Sequence, residues 1–248
     1  MLRVVATDGG LVPAPWDTER LRIAPGERYD VMFVAAGDPG DRLTFWNDPY
    51  ERGHGTGADE PMVLATVIFE GDAPLTGRTL PEAFPAIEAL PVTAPDFQLE
   101  LDEAYQGGDL VFTINGKTWP NVPDLAVPLG SIRTLEISNV SDKDHPFHQH
   151  GFFFQARSSA GASPLIWKDT VIVRSGSKLE LVSRYDELGH WMYQCHILEH
   201  AEGGMMGAML LSALVAFLIL AWDRLTGVGP GERREIGVLK AVGWRTGD

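Results

Sequence analysis

The chain has almost no cysteine. Its 248 residues hold one, Cys195, so no intrachain disulfide can form and the thiol is either a small buried side chain or a chemical group. It is also short of positive charge. Lysine and arginine number 20 against 34 aspartates and glutamates, a formal net charge of −14. Such a surface repels phosphate backbones and excludes nucleic acid as an expected partner. No secretory signal is read at the start, because Met1–Val5 runs straight into polar and turn residues. Short-period repeats and low-complexity tracts are missing as well. One long uncharged stretch stands out, Gly203 to Trp222, bounded by Glu202 and Asp223.

Glycine (27) and proline (17) are plentiful, which suits short strands joined by tight turns. Leu21–Ile23, Tyr29–Val34 and Met62–Phe69 read as strands in a first region, residues 1–75, divided by turns such as Asp8-Gly9-Gly10 and Pro25-Gly26. Residues 76–95 are rich in proline and alanine and read as a linker or crossover. A second region, 96–206, repeats the strand rhythm. Leu110–Ile114, Asn115-Gly116 and Lys117–Trp119 form an expected hairpin, and Ser131–Val140, Thr170–Val173 and the stretch holding Leu179 and Leu181 are further strands. The expected class is all-β, a Greek-key β-sandwich architecture with one partial and one near-complete domain.

The chemistry sits in two segments, His145-Pro146-Phe147-His148-Gln149-His150-Gly151 and Trp191-Met192-Tyr193-Gln194-Cys195-His196-Ile197-Leu198-Glu199-His200, the latter running on to Met205-Met206. Side chains alternate faces on a strand. If both segments are extended, His148 and His150 share one face while His145 points the other way; Gln194 and His196 share a face while Cys195 points the other way. One set gathers His145 and Cys195, the other His148, His150 and His196. A loop after the cysteine can return His200 and Met205 to it. Two imidazoles, a thiolate and a weak thioether make a blue-copper ligand set. Each piece alone has a plainer reading: a lone cysteine is usually a buried apolar side chain, alternate histidines can be polar surface, and a Met-Met pair is usually core. Their joint spacing favours the metal.

These two segments resemble the C-terminal copper motifs of the multicopper oxidases, the laccase-like enzymes. Ala6–Gly10, Ala24–Asp30, Phe112–Gly116 and Trp167–Val171 support the resemblance, which covers about residues 1–209. It implies cupredoxin-like domains, the later part of a middle domain over 1–75 and the last domain over 96–206. It implies a copper-dependent oxidoreductase that takes single electrons from a small reducing substrate or metal ion at a type 1 site (His145, Cys195, His200, Met205). Electrons pass through the catalytic pair Cys195 and His196 to a three-copper cluster that reduces dioxygen. His148 would serve the type 2 copper, and His150 with His196 the type 3 pair. The sequence departs from this pattern at Gln194, where the family has histidine. Outside the two segments only His54 and His190 remain, so the cluster is expected to be incomplete within these residues. A non-catalytic copper-binding electron-transfer module and an inactive fragment are the alternatives.

The apolar run carries a separate expectation. Residues 207–222 read as a C-terminal transmembrane helix at the short end of the range, in place of the last strand of the domain. Arg224, Arg233, Arg234, Lys240 and Arg245 follow it, and no lysine or arginine lies between Arg184 and Arg224. That asymmetry places the copper domain outside the cytoplasm, periplasmic or at the cell surface, and the C-terminus inside. Residues 223–248 resemble a juxtamembrane segment of ABC-transporter permeases of the FtsX/MacB type, or form an interfacial amphipathic helix. A truncated or fused reading frame would account for this combination.

Overall fold

A computed structural model describes residues 1–34, 36–53, 55–71, 79, 82–91, 93–158 and 164–212. Alternating apolar residues in short runs make strands almost throughout. β1 (Leu2–Thr7), β2 (Gly10–Thr18) and β3 (Tyr29–Met32) form a sheet in the order β2-β1-β3, and β4 (Arg42–Asn47) with β5 (Met62–Ile68) forms an antiparallel ribbon. Ten strands follow. One five-stranded sheet has the order β12-β10-β14-β15-β8, where β8 is Leu125–Pro128, β10 His145–Gln149, β12 Thr170–Val173, β14 Gly189–Cys195 and β15 Met206–Ser212. The other has the order β11-β13-β9-β6-β7, where β6 is Phe97–Gln106, β7 Asp109–Ile114, β9 Ser131–Asn139, β11 Phe154–Ser158 and β13 Lys178–Tyr185. A single short helix among the described residues, α1 (Leu198–Glu202), follows β14.

The two larger sheets share one core. Leu99 and Leu101 of β6, Leu135 and Ile137 of β9 and Leu181 of β13 meet Phe147 of β10, Tyr193 and Cys195 of β14 and Met209 of β15. Each such side chain, fully buried, contributes roughly 1.5–3 kcal/mol. The segment between the two regions is pinned. Phe84 N–H donates to Pro13, Leu90 N–H to Gln155 Oε1, and Gln155 returns an amide N–H to Glu88 O.

Three expectations change. Leu21–Ile23 forms no strand, and Ile23 is exposed, since the sheet beside it ends at β2 and β3. The Asn115-Gly116 turn is present with both residues at positive φ (52° and 69°), but its return leg is one bridge, Ile114 to Lys117. Trp119 N–H turns away to Gly204 O. The helix expected over 207–222 is wrong for its first part. Residues 207–212 belong to β15, antiparallel to β14 and parallel to β8, with Gly207, Ala208, Met209 and Leu211 buried. This is the closing strand of the sandwich. A short continuous apolar run is the pattern of a strand buried on both faces, and periodicity cannot separate it from a helix. The rest of the run, 213–222, and the permease-like tail, 223–248, lie outside the described residues. No helix among the described residues is long and apolar enough to cross a membrane.

Candidate metal centre

β10 and β14 lie side by side in the first large sheet with Phe147 opposite Cys195, His148 opposite Gln194 and Gln149 opposite Tyr193. That register decides the faces. Cys195 and His145 point into the sandwich core; His148, Gln194, His196 and His150 belong to the outer face. After Cys195 the chain turns through α1 and comes back. Cys195 N–H donates to Met205 O (3.0 Å), and Met205 N–H donates to His200 O (2.9 Å). These two bonds close the loop and return His200 and Met205 to the cysteine.

The donors converge. His145 Nδ1 and His200 Nδ1 are 3.0 Å apart, and Cys195 Sγ lies 3.7 Å from the first and 3.6 Å from the second. All three side chains are buried, and Met205 is buried in the same cluster as Cys195. Burial pushes His145 down to about 3, with His200 and Lys143 adding to it. Burial likewise pushes His200 down to about 4, with Arg52 and Lys143 nearby, and pushes the Cys195 thiol up to about 12. Both imidazoles are therefore neutral at pH 7, ready to donate lone pairs. The thiol must lose its proton to a metal.

The imidazoles are held from behind. His145 Nε2 meets Ser141 Oγ at 2.8 Å, and Ser141 Oγ in turn donates to Asn139 Oδ1 (2.8 Å). Asn139 Nδ2 donates to Lys143 O and Val173 O. A proton on Nε2 leaves Nδ1 free to face Cys195, which is the usual way an outer partner fixes a ligand's tautomer. His200 is held by stacking on Phe112, with ring centroids 3.9 Å apart and planes 15° off parallel. This donor set fits a copper of the blue type: two nitrogens, one sulfur and a second sulfur within a closed apolar core.

The other histidines form a looser group. The His148 ring is 4.7 Å from that of His150 and 5.3 Å from that of His196, centroid to centroid. His148 Nδ1 bonds Asp169 O and Thr170 Oγ1, while the buried His150 Nε2 has no hydrogen-bond partner. Burial, followed by His148 and His196, holds His150 below its ordinary value. Among the described residues the only cluster of three converging donors is the one at Cys195. The outer trio supplies three imidazoles and one amide, Gln194, and does not by itself enclose a metal. Two further histidines remain in the sequence. His54 lies outside the described residues, and His190 pairs with Asp124 (2.9 Å) on the surface.

Sequence reasoning missed the junction beside this trio. Asp8 accepts from the backbone N–H of Arg28, Asp169 and Thr170, and Arg28 forms a two-pronged salt bridge to Asp169 (2.7 Å each). The buried Lys168 ammonium lies 2.8 Å from Glu27 and 3.4 Å from Asp8. Burial works against the Lys168 charge, but Glu27 and then Tyr29 and Asp8 outweigh it and hold the pKa up. At Asp169 burial is outweighed by hydrogen bonds from His148, Arg28 and Thr170, which hold its carboxyl well below the usual range. Gly26, at φ +88°, packs against His196 so closely that a Cβ would sit 2.6 Å from its ring. A Cβ at Gly9 would collide with Trp167. Residues 6–10, 24–30 and 167–171 thus meet at one seam. Their signal in the sequence was a high density of Gly and Asp.

Comparisons with known proteins point to one family. A family model described as multicopper oxidase matches residues 92–213. The chain is similar to multicopper oxidase mco of Staphylococcus aureus, at 39% identity over 212 residues, covering 82% of this chain and 41% of the relative. It is similar to multicopper oxidase MmcO of Mycobacterium tuberculosis at 33% identity, covering 82% of this chain and 40% of the relative. Among solved structures, a multicopper oxidase from Campylobacter jejuni described as a metallo-oxidase superposes with a TM-score of 0.69 at 26% identity, covering 85% of this chain and 48% of that one. The chain spans about two fifths of the length of the curated relatives it matches.

Proposed function

The chain belongs to the multicopper oxidase family, and from that premise we propose that it holds one type 1 copper through His145, Cys195, His200 and Met205 and serves as the electron-entry domain of a copper-dependent oxidoreductase. The observation that carries this is the convergence of three buried donor atoms on one point in the core. Copper held there would supply one-electron chemistry toward a small reducing compound or metal ion. The protein's own residues do the rest. Cys195 would give a soft sulfur contact, and its peptide neighbour is His196, so the core-facing thiol and the outer imidazole are joined across one peptide bond. His148, His150 and His196 contribute to a second, dioxygen-facing set, His148 toward a type 2 and the other two toward type 3 positions.

A second reading has its own support. Gln194 stands on the outer face opposite His148, and the outer trio does not enclose a metal. These residues alone then pass electrons without turnover.

Titration of the purified chain with copper(II) tests the reading. An intense blue charge-transfer band saturating at one equivalent, lost in Cys195→Ser, is the expected outcome. No band in the unmodified chain contradicts it. Dioxygen uptake with a reducing substrate then separates oxidase from electron carrier.

A further inference from the structure

Behind His200 the structure places an ion pair that the ligand set does not need. Glu103 of β6 stands directly opposite Phe112 of β7. Lys143 Nζ lies 2.9 Å from Glu103 Oε2 and 5.7 Å from the centre of the Phe112 ring, and Phe112 stacks on His200. Both charged side chains are only 13% exposed. Lys143 also reaches the other imidazole by its backbone. Its carbonyl accepts from Asn139 Nδ2, the side chain whose Oδ1 holds the Ser141 hydroxyl that meets His145 Nε2. One residue is therefore coupled to both histidines, to His145 through hydrogen bonds and to His200 through an aromatic stack. The carboxylate beside it is incompletely used: Glu103 Oε1 is buried with no hydrogen-bond partner.

A mostly buried ion pair is a poor stability device, since desolvation offsets most of the attraction. Its effect on a neighbouring charge is larger, because the dielectric is low. The ligand cage carries one more positive charge with copper(II) than with copper(I). A cation close by favours the reduced form, and an anion favours the oxidised form. Resting on the type 1 reading above, we propose that Lys143 and Glu103 are positioning residues that set the reduction potential of that site, Lys143 raising it and Glu103 holding it down. The stack through Phe112 keeps the ammonium at a fixed distance from His200, and the short bond to Glu103 fixes how much of its charge is compensated.

The test is a mediated one-electron redox titration of the copper-loaded full chain, following the blue band. Lys143→Met shifts the copper(I)/copper(II) ratio at a given potential about tenfold toward copper(II), a fall of about 59 mV for one electron. Glu103→Gln shifts it several-fold in the opposite direction, and the double variant returns close to the starting value. Lys143→Arg, which keeps the charge, stays within twofold. The proposal is overturned if both single variants keep the band and move the ratio less than twofold, or if they move it in the same direction, as general loosening would. Should Lys143→Met fail to fold, the sign of the Glu103→Gln shift decides alone. A wild-type chain with no blue band removes the type 1 reading and this proposal together, an outcome distinct from an unshifted potential.

Discussion

Strand β5 is almost continuously apolar and β9 only alternately so, yet it is β9 that is buried. β9 lies in the middle of a five-stranded sheet, with Leu135 and Ile137 fully buried, whereas β5 pairs only with β4 and leaves Met62, Val63, Leu64 and Ile68 exposed. The difference is one of layers. β9 faces a second sheet across a shared core, while β4 and β5 with β1–β3 surround an open cavity of about 1110 Å³ lined by Leu21, Phe33, Leu43, Phe45 and Leu64. Apolar alternation makes a strand, but only a second layer makes a core. The first region is steadied instead at its seam with the sandwich, where Asp8, Glu27, Arg28, Lys168 and Asp169 interlock beside His148 and His196.

That contrast can be broken at the seam. Lys168→Met leaves Glu27 buried without its cation and Asp8 with Arg28 alone, and costs about 3–5 kcal/mol. Chemical denaturation read by tryptophan fluorescence should then resolve a separate early transition for the first region. A single unshifted transition would show that the seam does not hold it. Leu135→Ala in the closed sandwich costs about 2–5 kcal/mol, visible as a lower denaturation midpoint, and should remove the blue band only when the domain unfolds.

The pH dependence sharpens the same comparison from inside the core. With His145 near 3, His200 near 4 and the Cys195 thiol near 12, metal uptake releases one proton, from the thiol, across the neutral range. Copper affinity should rise about tenfold per pH unit between roughly pH 5 and 8. A steeper slope would mean that the imidazoles are still protonated there. The histidines' folded values lie below the unfolded value of about 6.5, so the metal-free sandwich keeps their contribution above that pH and loses it as the pH falls toward 3–4. Smallest of all, Trp46→Ser on the open ribbon should change stability by less than about 0.5 kcal/mol in the same denaturation assay, because Trp46 is already 58% exposed.

The metal centre was legible because its donors lie in two short segments where strand alternation assigns each side chain a face. His145 and Cys195 fall on the core face and His148 and His196 on the other, as that rule requires. Met206–Ser212 was not legible as a strand, since a run buried on both faces loses its period. Lys143 and Glu103 carry no motif, and Phe112 stands in the sequence only as the start of the Phe112–Gly116 stretch. They come together only through the pairing of β6 with β7 and the return of α1, contacts that span up to about a hundred residues of sequence. The seam was visible as three conspicuous stretches, but not as one place, because residues 8, 28 and 169 meet only in the folded chain.

With one copper site inside the sandwich and none completed by the outer histidines, a single copper per chain is expected. Counting copper per purified chain, with visible and paramagnetic spectra of the same sample, decides this. One tightly held copper with a blue band and the narrow hyperfine splitting of a thiolate-bound type 1 centre is the expected result. About four coppers per chain, or a copper-loaded chain with no blue band, would contradict it.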